Sequence, residues 1–259
     1  MKIKSPVCRI LTAIIWVSVM TGCSVKEERG DCPCRLFLDF TAVDFSARAP
    51  LSLYVTSFEG FEHKEFVETD DTCVIDVPRT DLQIVVWSGD EGLINDAGLM
   101  IPNGRECPPL YIHSSILPAF GEAVFETVQL RKNHCVLTVD FVEPDDVVAM
   151  TVRGEVAGFD RYGNPVEGDF HVDVLMDSVS DLPVSCCLPR QIGGPLYLEV
   201  TDMKGRERTF PLYEYMRIVG YDWSESDLKD LSLVLDYSEA KVSVIIQGWK
   251  EEIILDVVI

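Results

Sequence analysis

The stretch RLFLDF, residues 35–40, puts Leu36, Leu38 and Phe40 on one side of an extended chain and Phe37 and Asp39 on the other. Apolar residues recurring every second position mark a half-buried strand, because successive side chains of a strand point to opposite faces. The same two-residue period recurs outward along the chain. It runs through LSLYVTSF (51–58), TCVIDV (72–77), LQIVVW (82–87), AVFETVQL (123–130), CVLTVDFV (135–142) and VVAMTVRGEV (147–156). It continues in DFHVDVLM (169–176), LYLEVTD (196–202), RTFPLYEY (208–215), LSLVLDY (231–237), VSVIIQGW (242–249) and IILDVVI (253–259).

Turn formers punctuate these runs at Gly154, Gly163-Asn164-Pro165, Gly193-Gly194-Pro195 and Lys204-Gly205. Thirteen strands with almost no helical period predict an all-β protein, and the number suits two seven-stranded sandwiches. One helical turn is expected at 224–230, capped by Ser224 with Asp227 three residues on. The Gly- and Pro-richer residues 89–121 read as a long crossover. A break between two sandwiches is expected near 130–133, with 143–146 as the second choice.

Ahead of the first strand, Lys2, Lys4 and Arg9 precede a run, 10–20, that is apolar apart from Thr12 and Ser18. That is the layout of a secretory signal peptide, and the run is about half of the roughly 20 residues a spanning helix needs. Met20-Thr21-Gly22-Cys23 resembles the lipobox of bacterial lipoproteins, with cleavage after Gly22 and lipid attachment at Cys23. Lys26-Glu27-Glu28 is similar to a short signal that sends some Bacteroidetes lipoproteins to the outer face of the outer membrane; it also reads as a solvated tether.

The 259 residues carry 22 Lys and Arg against 43 Asp and Glu, a formal charge of −21, and losing Lys2, Lys4 and Arg9 with the leader takes it to −24. Such acidity excludes nucleic acid as a partner, since that affinity comes from cations neutralising phosphates. It equally opposes electrostatic adhesion to anionic lipid. At 47% hydrophobic the chain is not disordered.

Of nine cysteines, Cys8 lies in the leader and Cys23 at the lipidation site, leaving Cys32, Cys34, Cys73, Cys107, Cys135, Cys186 and Cys187. Their odd number leaves at least one unpaired within the chain, and spacing does not fix any pairing. His63, His113, His134 and His171 are scattered, so no zinc-like spacing arises and neither metal nor cofactor is expected. Asp169 and Asp173 lack the glycine and spacing of a calcium loop. No nucleophile elbow, zinc-protease helix, phosphate loop or dinucleotide fingerprint is present, and no catalytic residue or small-molecule substrate is assigned. Arg29-Gly30-Asp31 matches a receptor-binding tripeptide by its three letters alone.

The lipobox, the acidic tether, GDCPCRLFLDF (30–40), VQLRKNHCVLTVDF (128–141), CLPRQ (187–191) and WSESDLKDLSLVLDYSEAKVSVIIQGWKEE (223–252) together resemble the fimbrillin-associated anchor proteins, the FimB type of Bacteroidetes fimbriae. The resemblance covers nearly the whole mature chain. It implies two tandem transthyretin-like β-sandwiches, divided as leader 1–22, lipidated tether 23–31, and sandwiches 32–131 and 132–259. It further implies an outer-membrane lipoprotein that holds the base of a fimbrium, limits its length and has a fimbrial shaft subunit as partner.

Shaft subunits of the related type are trimmed after an arginine, which opens a groove for a neighbour's strand. Here Arg29 and Arg48 flank the first strand, and cutting there would part the lipid from the fold. The terminal IILDVVI suits the role of a donated strand, with Ile253, Leu255, Val257 and Ile259 facing a groove; it equally suits completion of its own sheet. A surface glycan-binding lipoprotein is the alternative, with Trp87, Trp223 and Trp249 as candidates for a sugar platform, although Trp87 and Trp249 end apolar strands and read better as packing residues. A hydrolase would need two carboxylates about 5 to 9 Å apart in a cleft, which no pattern marks.

Overall fold

A computed structural model describes residues 32–48, 50–68, 72–89, 94–95, 97–142, 147–175, 183–236, 241–246 and 253–256. The leader, Gly22, Cys23, the tether to residue 31, Trp249, Val257 and Ile259 lie outside them.

The first half of the chain forms β1 (Cys34–Asp39), a single helical turn α1 (Phe45–Arg48), β2 (Leu51–Ser57), β3 (Glu62–Val67), β4 (Cys73–Val77), β5 (Asp81–Ser88), β6 (Ile94–Asn95), β7 (Gly98–Met100), β8 (Tyr111–Pro118), β9 (Ala123–Thr127) and the short β10 (Arg131–Lys132). The second half forms β11 (His134–Phe141), β12 (Val147–Asp160), β13 (Pro165–Leu175), β14 (Val184–Pro189), β15 (Tyr197–Asp202), β16 (Glu207–Phe210), helix α2 (Leu212–Ile218), β17 (Leu231–Asp236), β18 (Lys241–Ile246) and β19 (Ile253–Asp256).

One seven-strand pattern occurs twice. In the first copy a sheet ordered β4-β1-β9 faces one containing β8-β5-β2-β3; in the second, β14-β11-β17 faces β16-β15-β12-β13. Each copy has one parallel pair, β1 with β9 and β11 with β17, and the other pairings within the pattern are antiparallel. The molecule is an all-β sandwich fold.

Alternation fills the cores. Leu36, Leu38 and Phe40 meet Leu51, Leu53, Val55, Leu82, Ile84 and Val86 in one cluster, while Leu137, Val139, Met150, Val152, Phe159, Phe170, Leu198, Val200, Leu231 and Leu233 build the other. The second cluster also draws on Val85 and Trp87, the residues of β5 that alternate with those of the first. Thus β5 is buried on both faces, which accounts for its nearly unbroken apolar run LQIVVW.

The crossover between β5 and β8 enters the second half as well. Strand β7 pairs with β12 from Gly158 to Asp160, and Leu99, Ile101, Cys107, Leu110 and Ile112 join the second cluster. Two glycines allow that approach: a Cβ at Gly158 would stand 2.1 Å from the Leu99 carbonyl oxygen, and one at Gly98, whose φ is +120°, would stand 2.1 Å from that of Phe159.

Three local expectations are corrected. Residues 89–121 are not crossover throughout, because 111–118 form β8, which pairs with β5 along its length. The run 208–215 is not one strand, because Pro211 has no N–H for the ladder and its φ of −76° suits a helix start. Leu212, Tyr215 and Met216 then bury one face of α2 at helical spacing. Residues 224–230 form the end of a turn, bends and irregular backbone rather than a helix. The Ser224 hydroxyl, expected to cap, instead donates to Asp222 Oδ1 at 2.7 Å, and the Ser224 N–H donates to the same oxygen at 2.8 Å.

Candidate functional site

Besides β10 beyond β8 and the β6–β7 pair beside β12, the two copies differ at one further sheet edge: among the described residues β9 ends its sheet in the first, whereas β18 and β19 continue beyond β17 in the second. The terminal strand β19 holds only β18, through the register Ile253 with Val244, Ile254 with Ser243, Leu255 with Val242 and Asp256 with Lys241. Ile253 and Leu255 therefore lie on a four-residue outer strand whose other edge has no partner among the described residues.

The edge of β9 that has no partner among the described residues adjoins an apolar row. Val74, Phe37 and Phe125 stand side by side across the outer face of the β4-β1-β9 sheet, with Val74 52% and Phe125 70% exposed. The rings of Phe37 and Phe125 stack at 4.8 Å and 15°. Arg35, Asp76, Arg79 and Glu122 border an open groove of about 640 Å³ there.

Sequence segments far apart meet in a polar latch between the halves. The guanidinium of Arg190 donates to Asn133 Oδ1 (2.8 Å) and to the carbonyls of Glu225 (2.8 Å), Lys132 (3.2 Å), Ser226 (3.3 Å) and Trp223. Burial pulls its pKa down, while nearby Tyr221, Asp227 and Asp222 oppose that shift. Asp227 accepts from the Lys132 N–H at 2.8 Å and from Arg131 at 3.1 Å. Asp230 accepts from Lys132 Nζ at 2.5 Å and from the Val136 N–H at 2.8 Å. The segments CLPRQ, VQLRKNHC and WSESDLKD thus form one structure, a convergence that no spacing within the sequence marks.

Beside the latch opens a cavity of about 450 Å³ lined by Gln191, Tyr213, Arg217, Tyr221 and Trp223 among others. Trp223 is 8% exposed, packs edge-on against Tyr221 at 5.0 Å, and its buried indole N–H has no hydrogen-bond partner among the described residues. Trp87, 1% exposed, is a core residue.

No protein-family model and no curated protein matches the chain. Solved structures do match. A candidate polysaccharide-binding protein from Bacteroides thetaiotaomicron superposes with a TM-score of 0.63 at 14% identity, covering 86% of this chain and 98% of its own. A candidate adhesin from the same organism gives 0.60 at 15% identity over 84% and 97%. The fimbrial anchor protein Mfa2 from Porphyromonas gingivalis gives 0.60 at 14% over 84% and 98%. The structural neighbours thus include a fimbrial anchor protein, and what these identities establish is a shared fold.

Proposed function

We propose that this chain is a surface lipoprotein that moors the base of a fimbrium and limits its length. In this reading the leader is cut after Gly22, lipid on Cys23 fixes the chain to the outer membrane facing outward, and the terminal strand engages the first shaft subunit. The observation that carries it is the β18–β19 pair, an addition that, among the described residues, has no counterpart in the first copy and ends in a strand held on one side. Such a strand exchanges at low cost, because leaving its sheet breaks a single ladder, and a partner's open sheet edge restores those hydrogen bonds. The expected action is mechanical, with no catalysis.

Deletion of residues 253–259 tests this. The truncated chain is expected to stay folded, with a melting temperature lower by a few degrees, while fimbriae are shed into the medium and vary more in length. Fimbriae attached in normal number and length on cells carrying the folded truncation would refute strand exchange.

Glycan binding is the second reading, favoured by the cavity that gathers Tyr213, Tyr221 and the unpartnered indole of Trp223. Retention of a glycan on an array, reduced at least about tenfold by Tyr213→Ala, is its expected mark, the loss of one stacked ring and its hydroxyl contact exceeding about 1.4 kcal/mol. Under the anchor reading the array stays blank.

A further inference from the structure

Cys107 stands on the crossover between β7 and β8, and Cys187 in β14. The Cys107 N–H donates to the Cys187 carbonyl at 3.0 Å, and the Cys187 N–H donates to Glu106 Oε2 at 3.1 Å. The single N–H···O=C bond of 3.0 Å keeps the two Cα atoms less than about 7 Å apart, which overlaps the roughly 4.4–6.8 Å that a disulfide spans. The side chains lie close too: both residues are buried in the same cluster, and the Cys107 thiol, which donates to the Pro108 carbonyl at 3.3 Å, feels the Cys187 thiol beside it.

The neighbouring thiols are poorer mates. Cys186 and Cys187 are consecutive in an extended strand, where Cα atoms lie about 3.8 Å apart, short of the disulfide range. Cys135 pairs in register with Leu188 rather than with a cysteine.

We propose that Cys107 and Cys187 form a disulfide, made by an oxidant that itself carries a disulfide, such as an oxidoreductase or an oxidised small thiol. The Cys107 thiol loses its proton and its sulfur attacks the oxidant, breaking the oxidant's S–S bond and releasing one of its sulfurs as a thiol. The Cys187 thiol then loses its proton and its sulfur attacks Cys107 in the mixed disulfide, releasing the oxidant's second thiol. Two protein thiols give up two electrons and two protons, and the oxidant's disulfide takes up both.

The bond stitches the crossover, whose flanking strand β5 belongs to both cores, onto the second half. The neighbouring Cys187 thiol and burial together hold the Cys107 thiol well above its usual range, so thiolate is scarce once the fold is closed. Oxidation accordingly belongs to folding, before the crossover settles, and is slow afterwards. The proposal stands whether the chain is a fimbrial anchor or a glycan binder.

The test refolds the full chain with reduced and oxidised glutathione, blocks free thiols, and maps linked peptides without reduction. The expected product is two hydrogens lighter, carries a 107–187 link that survives Cys186→Ser and disappears in Cys187→Ser, and melts about 5–15 °C above the reduced chain, as closing a loop of about 80 residues implies. A chain with every thiol still blockable, or a link joining any other cysteines, overturns the proposal. The map on the unsubstituted chain decides the matter even if a variant fails to fold.

Discussion

Replacing Arg190 by alanine should lower unfolding stability by about 3–5 kcal/mol, the largest loss expected from any single side chain outside the two cores. The guanidinium serves four backbone carbonyls and the Asn133 side chain, on segments centred near residues 132 and 225 that no ladder joins directly. Its removal strips several acceptors of their donor at once. An acceptor left unsatisfied costs roughly 1–3 kcal/mol, less where water can enter from the adjoining cavity, so the total falls below the simple sum. Arg190→Lys should recover less than half of the loss, because an ammonium has three donors on one atom and cannot span what the planar fork spans. Urea unfolding of the three proteins reads this directly. Arg217→Ala supplies the contrast: its pair with Glu214 is exposed on both sides, and its loss should register within about 0.5 kcal/mol. An Arg190→Ala chain as stable as the parent would show that the latch contributes nothing to the joint.

Most strands were legible because burial on one face leaves alternation behind, as in RLFLDF and LSLVLDY; β3 and β8 were not, since the largely exposed EHKEFV and the polar centre of YIHSSILP break the apolar period. Helix α2 was not, since LYEY alternates as a strand would until Met216 completes the spacing of three and four. Ser224 misled for a related reason: a serine before acidic residues fits a helix cap and an Asx turn equally well, and Asp222 two residues earlier decides between them. The latch was beyond reach for a stronger reason. Arg190 lies 57 or more residues along the chain from Lys132 and Asn133, so the contact exists only once β14 and β11 have paired. The resemblance had singled out the right segments without saying that they touch. Of the terminal residues, the period predicted the extended form of Ile253 and Leu255, but alternation carries no information on whether a strand stays in its own sheet or leaves it.

The second large effect is expected at Cys23. Cys23→Ala should move the protein almost completely from the detergent phase to the aqueous phase of a cloud-point partition, and from the cell envelope to the soluble fractions, or leave an unprocessed precursor. The size of the effect follows from transfer energetics. Each buried methylene contributes about 0.8 kcal/mol; one acyl chain holds a protein only marginally, whereas two or more hold it firmly. Once the leader is cut, no other membrane anchor among the described residues would compensate. At a formal charge of −21 before processing, the protein is repelled by anionic lipid, and no helix among the described residues is long and apolar enough to cross a membrane. Lys26 is the one cation between Cys23 and Glu28, too little to hold a surface by charge. The fold should be untouched, because the substitution lies ahead of β1, so melting temperature and the 107–187 link should match those of the parent. That separation makes the experiment decisive for mooring: a folded chain that keeps its strands but drifts free would leave fimbriae without a base, whereas unchanged partitioning of a chain whose leader has been cut would mean that the lipid assignment, and the anchor built on it, is wrong.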